Sequence, residues 1–248
     1  MTTNQGLPTD RELIESYYQS APNEKDLLHQ RDVLAARNPE TPEWVLRKVM
    51  EDASHEVLAG LAANRSCPHD LIPKILDRCA AFDQEGGGWA ADYVRRSLAA
   101  NPFAPSDVID GLLGAADQET RRSAAANPIA SKGELEKVQK DDDPTVRLAA
   151  TANLSGPPPK ESVLTDPDPR VREAAAHRRD AREILSDFAR DPDAPVRQAV
   201  AANPNTPPET LRGLAAATGP DNMGVRTAAA ANPNCPPPGK SAAGLLVD

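Results

Sequence analysis

The residues of this chain able to do covalent or metal chemistry do not fall where that chemistry needs them. The three cysteines, Cys67, Cys79 and Cys235, form no paired motif, and the four histidines, His29, His55, His69 and His177, share no spacing with them. A metal site needs converging ligands, and Cys67 with His69 supplies only two. Gly86-Gly87-Gly88 follows no recognisable strand and lacks the Lys-Ser/Thr that completes a phosphate loop. Neither a serine elbow, nor a cysteine with a matched histidine, nor a recurring carboxylate pair stands out against the acidic composition. The expectation is a non-enzymatic protein with no cofactor and no metal.

Two residue types do recur. Arginines stand at Arg95, Arg121, Arg147, Arg172, Arg197 and Arg226, and a row of planar guanidinium groups could read phosphate or carboxylate. Asp166, Asp168, Asp191 and Asp193, the first three of them followed by proline, lie close to these arginines. The favoured reading is therefore an Asp–Arg ladder between stacked units, worth about 0–1 kcal/mol per pair if exposed. Asparagines recur at Asn38, Asn64, Asn101, Asn127, Asn153, Asn203 and Asn232. Such a row could bind a peptide backbone, but an asparagine at a helix end can also satisfy carbonyls left without an amide partner. Repetition favours the architectural role.

The element that positions these rows is clearest in residues 196–214. Val196, Ala199, Val200 and Ala202 fall at helical spacing, and Pro204 moves Asn203 out of the α region, so a helix ends there. Thr206, Pro207, Pro208 and Glu209 then read as a capping box that starts a second helix carrying Leu211 and Leu214. Neither helix is long enough to be stable alone in water. The asparagine intervals are 26, 37, 26, 26, 50 and 29, and the interval of 50 hides a degenerate copy, Val171–Arg178, without its Asn-Pro corner. Eight copies at a period near 25 predict an all-α helical repeat solenoid. Cys67 and Cys235 align with Thr206 and read as substitutions within the repeat.

Residues 1–30 are expected to form a lead and a helical cap, with Leu13, Ile14, Tyr17 and Tyr18 on one helix. The repeats span 31–238, and 239–248 reads as a flexible tail. An insertion at about 79–93 adds 11 residues to its unit and is expected to project as a loop. It carries Phe82, Trp89 and Tyr93, the candidate binding residues, because tryptophan is enriched at binding hot spots. Packing back onto the adjacent repeat is the competing role for Trp89. A smaller insertion surrounds Thr218–Met223.

The motif Val-Arg-x-Ala-Val-Ala-Ala-Asn-Pro-x-x-Pro-x-x-x-Leu resembles the leucine-rich repeat variant family. That resemblance implies a right-handed superhelix whose units pair an α-helix with a 3₁₀ helix. One branch of the family carries a cysteine-ligated iron–sulfur cluster ahead of the repeats, but residues 1–66 contain no cysteine here. HEAT repeats are similar in an Asp and an Arg six residues apart, seen at Asp141 and Arg147, Asp166 and Arg172, and Asp191 and Arg197. A period near 25 is too short for HEAT units of about 40.

Leu, Ile, Val and Phe together fall below the roughly 20% at which disorder becomes a serious reading, yet alanine runs at fixed places let helices approach closely. A net charge of −9 disfavours nonspecific attraction to nucleic acid or anionic lipid. The amino terminus lacks a signal-peptide pattern and no stretch reaches transmembrane length, which gives a cytoplasmic reading without membrane contact. The expected function is protein interaction, with a protein or peptide partner of basic or mixed charge. Two rivals remain: an enzyme on a HEAT-like scaffold, acting in nucleic-acid base repair or chromophore attachment, and a metal or iron–sulfur redox protein.

Overall fold

Four of the long helices begin on a side-chain cap that their local sequence supplies. In a computed structural model, which describes residues 11–12, 14–16, 25–51 and 53–237, Ser54, Asp117, Asp143 and Asp168 cap the helices His55–Ala63, Gln118–Ala126, Pro144–Ala152 and Pro169–His177. Each cap side chain accepts from a backbone amide two or three residues on, for example Thr120 N–H to Asp117 at 2.8 Å, which satisfies a donor the helix itself cannot. Among the described residues there are α-helices and 3₁₀ turns and no strand. Of the expected cap helix, residues 11–12 and 14–16 are helical, while Leu13, Tyr17 and Tyr18, like the tail 239–248, lie outside the described residues. No helix among those described is long and apolar enough to cross a membrane.

The chain forms two compact units, Met1–Glu134 and Leu135–Asp248. In the first, the helices Lys25–Arg37, His55–Ala63, Gly88–Ala99 and Gln118–Ala126 pack in series. In the second, Pro144–Ala152, Pro169–His177, Ala194–Ala202 and Met223–Ala231 do the same. Other elements, all but Ile72–Gln84 shorter, alternate with them: Glu43–Met50, Ile72–Gln84, Ser106–Leu112, Lys132–Val138, Leu185–Phe188 and Pro208–Ala215 are α-helical, and Glu161–Thr165 is 3₁₀. Alanines such as Ala36, Ala62, Ala99, Ala150, Ala175 and Ala201 are buried between successive long helices. At Gly60 a Cβ would lie 2.9 Å from the Ala36 Cβ, so this layer admits nothing larger than hydrogen there.

Thr206 does not open the second helix. Pro207 occupies the N-cap position without a side-chain bond, and the Thr206 hydroxyl donates backwards to the Val200 carbonyl. Thr41 does the same to Ala35 at 2.7 Å. The tight corner folds the threonine over the end of the helix before it, beyond reach of the amides ahead. Its task is to close the preceding helix.

The asparagines join repeats to each other. Asn127 Nδ2 donates to the Ala99 and Asn101 carbonyls of the previous repeat at 2.8 and 2.9 Å, while its Oδ1 accepts from Ile129 N–H at 3.0 Å. Asn64, Asn101, Asn203 and Asn232 repeat the pattern on the carbonyls of the repeat before each. Asn64 precedes Arg65, not proline, yet has the same extended backbone as Asn203. The corner therefore depends on the asparagine bonds as well as on proline.

The degenerate copy keeps its corner. Arg178 is extended like the asparagines and its Nη1 donates to the Thr151 and Asn153 carbonyls at 3.1 and 2.8 Å. Asp180 receives its Nε and Nη2 at 2.8 and 2.6 Å. A buried guanidinium has replaced an amide at the same pair of carbonyls, so the expected loss of the corner is corrected.

The arginine row forms the expected ladder within the second unit. Arg147 binds Asp166 through Nε and Nη2 at 2.8 and 3.0 Å. Arg172 binds Asp191 at 2.7 and 3.1 Å, with Asp193 and the Asp166 carbonyl as further acceptors. Arg197 meets Asn222 at 3.1 and 2.8 Å instead of an aspartate, because the small insertion folds into the 3₁₀ turn Pro220–Asn222. The Arg172–Asp191 pair is buried, with side chains 8% and 4% exposed, so it does not belong among weak surface pairs.

Candidate interaction surface

The insertion at 79–93 is helical where a projecting loop was expected. Ile72–Gln84 and Gly88–Ala99 run to 13 and 12 residues, and only Glu85–Gly87 turns between them. Gly86 has φ +80°, a left-handed conformation that favours glycine at a helix end, and Gly87 N–H donates to the Phe82 carbonyl at 2.7 Å. The inserted residues lengthen two helices because Glu85–Gly87 suffices for the turn. Arg95 clamps this hairpin by hydrogen-bonding Asp83, with Asp92 at 3.3 Å. The Arg95 guanidinium holds the Asp83 carboxyl below the usual carboxylate range.

On Gly88–Ala99, Trp89, Tyr93 and Arg96 stand at i, i+4 and i+7, which places them on one helix face. Trp89 is 68% exposed. His55, at the start of the preceding long helix, meets the Trp89 ring edge-on at 4.7 Å between centroids and the Tyr93 ring at 6.4 Å. Arg37 Nη2 donates to the Tyr93 hydroxyl at 3.4 Å. These groups border a shallow cleft with Glu56 and Asp92. Phe82, expected beside Trp89, does not line this cleft; its ring lies under the Arg78 guanidinium at 5.8 Å.

The charges of the cleft are mixed. Burial pushes the Glu56 carboxyl up, but its own backbone amide, the Ser54 side chain and the His55 and His29 imidazoles outweigh that and hold it below the usual value. Arg96 reaches Asp117 at 3.3 Å, while its buried Nε has no hydrogen-bond partner among the described residues. A buried donor left in this state gains from any acceptor brought to it. The surface can thus offer a large exposed ring, a phenol, an ionised carboxylate and an underused guanidinium to a partner.

Sequence reasoning singled out Trp89 and Tyr93 and missed His55, Glu56 and Arg96. The i, i+4, i+7 spacing could have found Arg96 had the insertion been read as helix. His55 carries no such signal, since only stacking of repeats brings it beside Trp89.

Cys67 and Cys79 are buried and do not line this cleft. Burial pushes Cys67 and Cys79 up to about 11, so neither is a thiolate near neutral pH. Among the described residues no group of three or more His, Cys, Asp or Glu could hold a metal ion. Cys235 is only partly buried. With Ellman's reagent on the folded protein at pH 8, one thiol should react fast and two only on unfolding; three equally fast thiols would contradict the burial.

Comparison with known proteins agrees with this architecture. A family model described as leucine rich repeat variant matches residues 194–217. A solved structure described as "a leucine-rich repeat variant with a novel repetitive protein structural motif" is similar over 90% of this chain and 81% of its own, at 23% identity and a TM-score of 0.54. A search of curated proteins gave no match.

Proposed function

We propose that this helical repeat protein of the leucine-rich repeat variant type is a non-enzymatic interaction module that binds a protein or peptide partner through the Gly88–Ala99 face. The observation that carries the reading is Trp89, 68% exposed on a helix fixed by the Gly86 turn and the Arg95 clamp. Tryptophan, tyrosine and arginine are the side chains most enriched at binding hot spots, and here Trp89, Tyr93 and Arg96 share one face. A surface held by packed helices would lose little entropy on binding. The serial packing of small helices is also the architecture that repeat proteins use to present extended surfaces.

Affinity capture from the native cell tests this directly. The tagged full chain should retain a defined partner that Trp89→Ala and Tyr93→Ala both lose, while circular dichroism shows both variants folded. Each hot-spot truncation is expected to cost about 2 kcal/mol or more in binding, about 30-fold in affinity. An unchanged partner set with both variants would place the interaction elsewhere.

A further inference from the structure

The unit that follows Asn153 lacks an apolar side chain that five other units carry. Eight positions after the corner asparagine those five place Leu46, Ile72, Ile109, Leu135 and Leu211, all nearly inaccessible to solvent, while the copy with Arg178 at its corner has Ser186 there. After Asn153 that position is Glu161, preceded by Pro157, Pro158, Pro159 and Lys160. Three prolines cannot supply the amides of an α-helix, and the chain makes only the 3₁₀ turn Glu161–Thr165. A cleft of about 220 Å³ remains, lined among others by Gln139, Lys140, Thr151, Lys160, Ser162 and Asp166.

The hydrogen-bonding capacity left over in this cleft is that of donors. Among the described residues, Gln139 Nε2 is buried without a partner and Lys140 forms no ion pair. The Asp166 carboxylate is engaged by Arg147 at 2.8 and 3.0 Å and by Asp168 N–H at 2.9 Å. Lys160 Nζ is held by Glu136 at 2.5 Å. The lining carries two cations, Lys140 and Lys160, and two carboxylates, Glu136 and Asp166, and both carboxylates are already engaged, by Lys160 and by Arg147, so Lys140 is the charge left over. A ligand that brings acceptors and negative charge satisfies both conditions.

We infer that this cleft binds a small oxyanion, a carboxylate or phosphate group, hydrogen-bonded by the Gln139 amide and attracted by Lys140 and Lys160. The site is independent of the Trp89 surface and of whether that surface has a partner. Amide-resolved NMR titrations of the full chain with sodium succinate, and separately with sodium phosphate, test it at constant ionic strength held with sodium chloride. At least one of the two should shift the Gln139 side-chain amide saturably, and which one does so identifies the oxyanion. Gln139→Leu and, separately, Lys140→Ala should each weaken that binding by about tenfold. Lys140 is exposed, so its variant remains informative if Gln139→Leu unfolds. Shifts that stay linear, that chloride reproduces, or that survive in a folded variant would overturn the inference.

Discussion

Replacing Arg172 by alanine is expected to lower the unfolding free energy by about 3–5 kcal/mol, the cost of leaving a buried charge without its partner. The guanidinium spans two repeats, taking Asp191 and Asp193 from one side and the Asp166 carbonyl from the other. Its removal strands Asp191, whose side chain is 4% exposed. The Asp191 pair holds the Arg172 charge firmly, raising it above the ordinary guanidinium value against the opposing effect of burial. Arg170→Ala is the control. That side chain is 59% exposed where it meets Asp168, and its loss should cost no more than about 1 kcal/mol. Urea denaturation of the three proteins decides the matter, and a cost below about 1 kcal/mol for Arg172→Ala would reduce the ladder to a surface feature. A cycle through Asp191→Ala separates the pair from the wider network.

Arg178→Ala should be nearly as damaging, by about 2–5 kcal/mol, because two buried carbonyls lose their donor and each such group costs about 1–3 kcal/mol. The informative variant is Arg178→Asn. An asparagine there can reach the Thr151 and Asn153 carbonyls as Asn203 reaches those of Ala176 and Arg178, so at least half of the lost stability should return. Arg178 Nη2 also donates to the Gly156 carbonyl at 3.2 Å, and equal instability of the two variants would mean that the bonds to Asp180 and Gly156 hold this corner, and that the carbonyl pair does not. The comparison treats Arg178 as an amide substitute, which its sequence neighbours do not announce.

Much of the fold was legible from short-range pattern. Valine and alanine at helical spacing, prolines at unit boundaries and asparagines near every 26 residues mark where helices start, stop and repeat. The same local reasoning misjudged Thr206, because a capping box and a closing hydroxyl use the same residue type. It also misread residues 79–93: three consecutive glycines suggest a loop, whereas Gly86 and Gly87 alone make the turn and the alanine-containing segments on both sides remain helical. Of the candidate site, Trp89 is legible as an aromatic with no slot in the repeat, and Phe82 and Tyr93 join it by proximity in sequence alone.

The sequence by itself determined the period, the helical class and the residues that recur, since capping, proline sterics and amphipathic spacing act within a few positions of the chain. Tertiary structure alone decided what those residues do. Asn127 bonds carbonyls 26 and 28 positions away, Arg172 an aspartate 19 positions away, and His55 a tryptophan in the next long helix. Backbone carbonyls are chemically the same at every residue, so no pattern in the chain says which will be left without a donor until the repeats are stacked.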